Sequence, residues 1–233
     1  MSQYVICESK EDLARRVAAE IVDLIMAKKR AGQNCVLCLP TGSTPIPVYQ
    51  EIVKKYNEEP FPLDHVYTFN LDEYCGLPYD HQESYHFFMN HNLFSHIPLK
   101  KDQIHVPEGY DDEERARAFA ADFIRISRTG HIGFNEPGSN ADSRTRRVVL
   151  HQVTRDDAAP SFPDRPVPTH AVTQGIGTIL EARKVIMMAT GANKKEIMIK
   201  YKEAEPTPEV PATFLKQHPN VEVFVDRAAA GLN

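Results

Sequence analysis

Two stretches of this chain share one layout, and that layout decides the fold class. In the first, the apolar run Cys35-Val36-Leu37-Cys38-Leu39 meets Pro40-Thr41-Gly42-Ser43-Thr44-Pro45 at once. A helix is predicted next, over residues 46–56. In the second, Lys184-Val185-Ile186-Met187-Met188-Ala189 runs into Thr190-Gly191-Ala192-Asn193-Lys194, again ahead of a helical stretch. A short, continuous apolar run bounded by turn residues fits a strand buried on both faces, as in a parallel sheet. Strand, Gly-containing turn and helix together make the unit of α/β architecture. The predicted fold is therefore α/β: a single doubly wound Rossmann-like domain over residues 1–233, with a mainly parallel sheet.

The remaining elements fit that frame. An amphipathic helix is predicted over residues 10–29. Ser9 is its N-cap candidate, Asp12 lies three residues on, and Leu13, Val17, Ile21, Leu24 and Ile25 share one face. Gly32 ends it. Residues 66–70 read as a strand, 81–94 as a helix, 104–107 as an extended piece and 111–119 as a charged helix. Strands follow at 123–126, 148–150, 169–173 and 221–225, with a short helix at 213–217. The proline-rich segments 160–168 and 206–211 read as loops, the first of them suited to a lid.

Composition removes several function classes. The chain has 233 residues, 42% hydrophobic and 25% charged, so it can bury an ordinary core. A net charge of −5 with no basic stripe argues against a nucleic-acid partner. No apolar run nears the ~18 residues of a membrane span, and the N-terminus lacks a signal pattern. Cys35 and Cys38 have Cys-x-x-Cys spacing but lie inside the apolar run. With Cys7 and Cys75 they read as packed thiols rather than a redox or zinc site, which suits a cytoplasmic setting.

Four places carry potential chemistry. The turn Thr41-Gly42-Ser43-Thr44 precedes a helix N-terminus, whose free N–H groups suit an anion. It reads as a phosphate cradle, although a well-capped helix start has the same appearance. It is neither a P-loop nor a Gly-x-Gly-x-x-Gly turn. Lys194, in the matching turn, would supply a cation to that anion, or is a surface lysine. Asp72 and Glu73 follow the strand at 66–70, beyond whose carboxyl end ligands bind in open α/β sheets. They read as a general base or as a solvated acidic turn. The run Gly130-His131-Ile132-Gly133-Phe134-Asn135-Glu136-Pro137 should be an irregular loop presenting an imidazole and a carboxylate together. His81, His86, His91 and His96 recur every five residues, which rotates around a helix and makes no metal site. The basic cluster Arg144, Arg146 and Arg147 is either a solvated edge or part of an anion site.

Together these motifs resemble glucosamine-6-phosphate deaminase. The runs that carry the resemblance are Leu39-Pro40-Thr41-Gly42-Ser43-Thr44-Pro45, Phe69-Asn70-Leu71-Asp72-Glu73-Tyr74, His131-Ile132-Gly133-Phe134-Asn135-Glu136-Pro137 and Ser143-Arg144-Thr145-Arg146. Gly175-Ile176-Gly177-Thr178 and the Thr190 to Lys194 turn match in order as well. The resemblance implies a hydrolase that deaminates and isomerises a hexosamine 6-phosphate in amino-sugar catabolism. It implies His131, oriented by Glu136, as the group that moves the ring-opening proton, and Asp72 as the base that carries a proton from C2 to C1. It implies phosphate on Thr41, Gly42, Ser43 and Thr44, with Lys194 as its cation, and no metal or organic cofactor.

The chain departs from the family pattern at Thr129, where Asp is frequent, at Pro160, where an Arg holds phosphate, and in a short 114–128 segment. Arg165 is a candidate replacement for that Arg. Val148 replaces a lysine of the allosteric members, whose effector site surrounds the positions of Ser139 and Arg146. Weak or no allosteric activation is expected, and a homo-oligomer is compatible with the sequence. A related lactonase or isomerase, or a non-catalytic sugar-phosphate sensor, are the competing readings.

Overall fold

The structure, a computed structural model, describes residues 3–109, 124–125 and 130–232. The predicted helix at 111–119 and Thr129 lie outside those residues, as do the 114–128 segment apart from 124–125 and both end residues of the predicted strand at 123–126.

Strands β1 (Gln3–Cys7), β10 (Val221–Asp226), β9 (Val185–Ala189) and β6 (Ile124–Arg125) pair in that order, all parallel. Strands β2 (Cys35–Leu39), β3 (Val66–Asn70) and β5 (Ile104–His105) form a second parallel group. The apolar runs behave as their composition dictates. All five residues of β9 are buried, and so are four of the five in β2. The predicted bounds of β2 and β3 coincide with the observed ones.

A third sheet was not expected. Strands β4 (Asp72–Tyr74), β8 (His170–Thr173) and β7 (Arg146–Val149) pair antiparallel. Strands were predicted at 169–173 and 148–150, close to β8 and β7, whereas β4 reads Asp-Glu-Tyr and has neither alternation nor an apolar run to announce it. Asp72 sits opposite Thr173 at one end of this sheet. The acidic turn predicted at Asp72 and Glu73 is thus a buried strand.

Helix α1 (Lys10–Arg30) starts where the cap predicts, with Ser9 Oγ accepting the Asp12 N–H at 3.2 Å. Its buried stripe, Leu13, Val17, Ile21 and Ile25, joins the core formed with β9 and β10. Each such side chain contributes about 1.5–3 kcal/mol of burial. Helix α2 is Ile46–Glu58 and helix α3 is Tyr85–Asn92, four residues later in start than predicted. Helix α4 (Gln152–Ala158) occupies a stretch given no element in the sequence. Short α5 (Ile176–Ile179) and α6 (Lys195–Glu203) complete the set.

The four cysteines are buried thiols, none in a disulfide. Among the described residues, no helix is long and apolar enough to cross a membrane. Nor does any group of three or more His, Cys, Asp and Glu stand ready for a metal ion.

Met187, fully buried at the centre of β9, pairs in register with Val223 on one side and Ile124 on the other. Met187→Ala should cost about 2–5 kcal/mol in urea unfolding, because the cavity cannot collapse between paired strands. A loss below about 0.5 kcal/mol would mean that β9 is not central.

Candidate active site

The carboxyl ends of β2 and β3 are tied together before any ligand enters. Asn70 Nδ2 donates to the Leu39 carbonyl at 2.7 Å, and the Tyr49 hydroxyl donates to the Pro40 carbonyl at 2.5 Å. These bonds fix the start of the Thr41 turn and the strand that delivers Asp72. Gly42 adopts φ 93°, a left-handed conformation that glycine takes without strain.

The His131 loop closes onto that same edge. Gly133 has φ 58°, and a Cβ there would lie 2.7 Å from Thr173 Oγ1 and 3.5 Å from an Asp72 carboxylate oxygen. Only glycine lets the loop lie flat against Asp72. The Phe134 N–H donates to Thr173 Oγ1 at 3.0 Å. Asn135, fully buried, donates from Nδ2 to the carbonyls of Ile132 and Gln174 at 2.8 and 2.6 Å. Its Oδ1 accepts from Arg146 Nη1 at 2.9 Å, and Arg146 Nη2 reaches Ser139 Oγ at 3.2 Å.

His131 Nδ1 lies 2.9 Å from Glu136 Oε2. The carboxylate can only accept, so Nδ1 carries the hydrogen and Nε2 is the nitrogen able to take a proton. Glu136 Oε1 accepts from the Thr154 hydroxyl at 2.5 Å. Burial of Glu136 opposes its ionisation. The bonds from His131 and Thr154, with the charges of His131 and His151, outweigh burial and hold its carboxyl below the usual range.

A narrow pocket lined by Pro40, Thr41, Leu71, Asp72, Tyr85, His131, Gly133 and Phe134 opens into a wider cleft of about 540 Å³. Gly42, Ser43, Asn193 and Lys194 line that cleft together with Thr154, Asp157, Ala158 and Ser161. Its volume suits a small ligand. The structure therefore brings Thr41, Gly42, Ser43, Asp72, His131 and Lys194 to one site, with Glu136 behind the imidazole. Thr44 lines neither part. Arg165 is exposed and lines neither part.

The two adjacent carboxylates part company. Asp72 lines the pocket; Glu73 turns to the start of α3. Glu73 accepts the backbone N–H groups of Tyr74, Tyr85 and His86 at 2.8, 3.0 and 3.1 Å. It holds in place Tyr85, whose ring stacks at 10° on Phe134 of the His131 loop. Of the two, Asp72 is the carboxylate that faces the pocket, and Glu73 braces the start of α3. The basic cluster also divides. Arg144 pairs with Glu181 at the surface, 2.6 Å apart, whereas Arg146 serves Asn135 and Ser139.

Sequence reasoning missed two supports. Asp226 accepts the Gly191 N–H on both oxygens, at 3.1 and 2.9 Å, and so fixes the turn that carries Lys194. Thr154 reaches Glu136 from 18 residues away. Neither has a local signal, since only the fold brings the partners together.

Comparison with known proteins agrees with the geometry. Residues 8–134 match the family model described as glucosamine-6-phosphate isomerases/6-phosphogluconolactonase. Glucosamine-6-phosphate deaminase 2 of Giardia intestinalis is 43% identical, with 98% of this chain and 91% of that protein covered. The glucosamine-6-phosphate deaminase of Thermoanaerobacter pseudethanolicus is 38% identical, over 99% and 94%. The solved structure of a monomeric glucosamine-6-phosphate deaminase superposes with a TM-score of 0.92 at 36% identity, over 99% of this chain and 100% of that one. The 6-phosphogluconolactonase of Trypanosoma brucei shares the fold, with a TM-score of 0.77 at 20% identity, over 99% and 98%.

Burial pushes the Glu73 carboxyl up to about 7, against the opposing pull of its three N–H donors; an unburied glutamate titrates near 4.5. Between those values the folded chain binds the extra proton, so Glu73 makes stability fall as pH rises, by about 1.4 kcal/mol per unit. Glu73→Gln should remove that slope. Urea midpoints for both proteins at about pH 5 and about pH 7 read it directly. An equal slope in both would show that Glu73 does not carry the titration.

Proposed function

The chain belongs to the glucosamine-6-phosphate isomerase/6-phosphogluconolactonase family, and on that premise we propose how its cleft acts. The protein is a glucosamine-6-phosphate deaminase: it converts glucosamine 6-phosphate and water to fructose 6-phosphate and ammonia. The observation that carries the reading at the site is the Asp72 carboxylate packed against the loop that presents the His131–Glu136 pair.

The reaction needs two proton movements and one water. The sugar binds as a ring, and the Nε2 of His131 moves a proton from the C1 hydroxyl to the ring oxygen. Glu136 keeps Nδ1 protonated and so fixes which nitrogen is free for this step. Asp72 then removes the proton from C2 and returns it at C1. A single carboxylate suits that transfer, because it can take and give back one proton on one face. The carbon–nitrogen group left at C2 is an imine, which water converts to the ketone with loss of ammonia. The phosphate rests on Gly42 and Ser43 with Lys194 as its cation, all three of which line the wider cleft.

A lactonase opens an ester and abstracts no C2 proton, so it has no use for Asp72 in this role. Likeness to lactonases at 20% identity carries the fold and no further. We also propose that residues 1–233 act as one domain, and that four buried thiols suit a reducing compartment such as the cytoplasm.

Purified protein given glucosamine 6-phosphate should release ammonia and fructose 6-phosphate in equal amounts. Binding without either product would make the chain a sensor rather than an enzyme. Asp72→Asn keeps the shape and removes the base. Its kcat should fall about 10²- to 10⁴-fold, with sugar-phosphate binding kept within a few-fold. Turnover at the wild-type rate would remove Asp72 from the mechanism.

A further inference from the structure

Glu136 can orient His131 only if it is itself held. Rotation of a carboxylate about its last torsion is soft, so one hydrogen bond to the imidazole does not fix its plane. The second bond comes from Thr154, whose hydroxyl lies 2.5 Å from Oε1 while His131 Nδ1 lies 2.9 Å from Oε2. Each oxygen of a nearly buried carboxylate thus has its own donor. Thr154 belongs to α4, a helix with no buried residue. Three other polar side chains of that helix bond along it: Gln152 donates to Asp156 at 2.7 Å, and Arg155 donates to Gln152 at 2.5 Å. Thr154 instead reaches inward to the pair. The same short helix lines the cleft through Thr154, Asp157 and Ala158. The wall a ligand meets and the donor that bonds Glu136 therefore belong to one helix.

We propose that Thr154 is a positioning residue for the reaction: its hydroxyl fixes the Glu136 carboxylate, which in turn orients the His131 imidazole for proton transfer. This rests on the deaminase reading given above. Thr154 does not transfer a proton and is not needed to hold the sugar. It acts on the chemical step, so its loss should appear in kcat and not in KM.

Thr154→Val keeps the shape and removes the hydroxyl, while Thr154→Ser keeps the hydroxyl and removes the methyl group. Ammonia release should show kcat down about tenfold or more in Thr154→Val, as expected for a lost hydrogen bond to a charged group. KM should stay within about twofold, and Thr154→Ser should recover most of the rate. Thr154→Ala should behave as Thr154→Val. Proton NMR gives a second reading that needs no turnover. The downfield Nδ1 proton of His131, identified by its absence in His131→Asn, should persist in Thr154→Ser and be lost or broadened in Thr154→Val. Wild-type kcat together with an unchanged Nδ1 proton in Thr154→Val would overturn the proposal. So would a rise in KM at constant kcat, which would make Thr154 a ligand contact. If the wild-type protein releases no ammonia, the deaminase reading fails, and the NMR comparison alone still decides whether Thr154 holds the Glu136–His131 pair.

Discussion

The site hangs on one buried side-chain amide. Asn135 makes three hydrogen bonds: two donated to the carbonyls of Ile132 and Gln174, one accepted from Arg146. The first folds the His131 loop on itself. The second fastens that loop to the end of β8, and the third to β7. A buried polar group of this kind is costly if any partner is lost, so it specifies one loop conformation. The consequence is that the antiparallel sheet β4-β8-β7, and not the parallel strands alone, sets the distance between imidazole and base. Thr173 illustrates this. It pairs with Asp72 in the sheet and accepts the Phe134 N–H from the loop.

Asp72 and Glu73 show how environment divides labour between like residues. Successive residues of a strand point to opposite faces. One face of β4 looks into the pocket, and the other toward the N-terminus of α3. Glu73 therefore meets three backbone N–H groups and caps a helix, while Asp72 meets the ligand space. A carboxylate at a helix start is favoured by the helix dipole, which offsets part of the cost of burying it. The phosphate side of the cleft is built differently. There a turn with glycine at positive φ and a lysine stand on loops that follow parallel strands, and Asp226 braces the second of them.

Much of this was legible in the residues. The apolar runs of β2 and β9 identify themselves, because a strand buried on both faces has no polar residue to blur its bounds. The His131 loop was also readable, since three glycines and a proline leave no regular alternative. What escaped were elements whose reason lies elsewhere in the chain. Strand β4 reads Asp-Glu-Tyr and looks like a solvated turn until β8, almost 100 residues on, covers it. Helix α4 buries nothing and so has no apolar stripe to read. Thr154 and Asp226 are ordinary polar residues locally, and only the fold shows what they hold. Ser43 and Lys194 line the cleft, while Thr44, in the same turn as Ser43, lines neither part of it.

In the proposed mechanism a single carboxylate, Asp72, carries a proton from C2 to C1 on one face of the sugar. The direct measurement is the stereochemistry of the new hydrogen at C1 of fructose 6-phosphate, traced by NMR with deuterium supplied at substrate C2 or by the solvent. This mechanism predicts label at one of the two C1 hydrogen positions only. Label divided between both positions would contradict it, since a proton delivered by one fixed carboxylate cannot reach both faces.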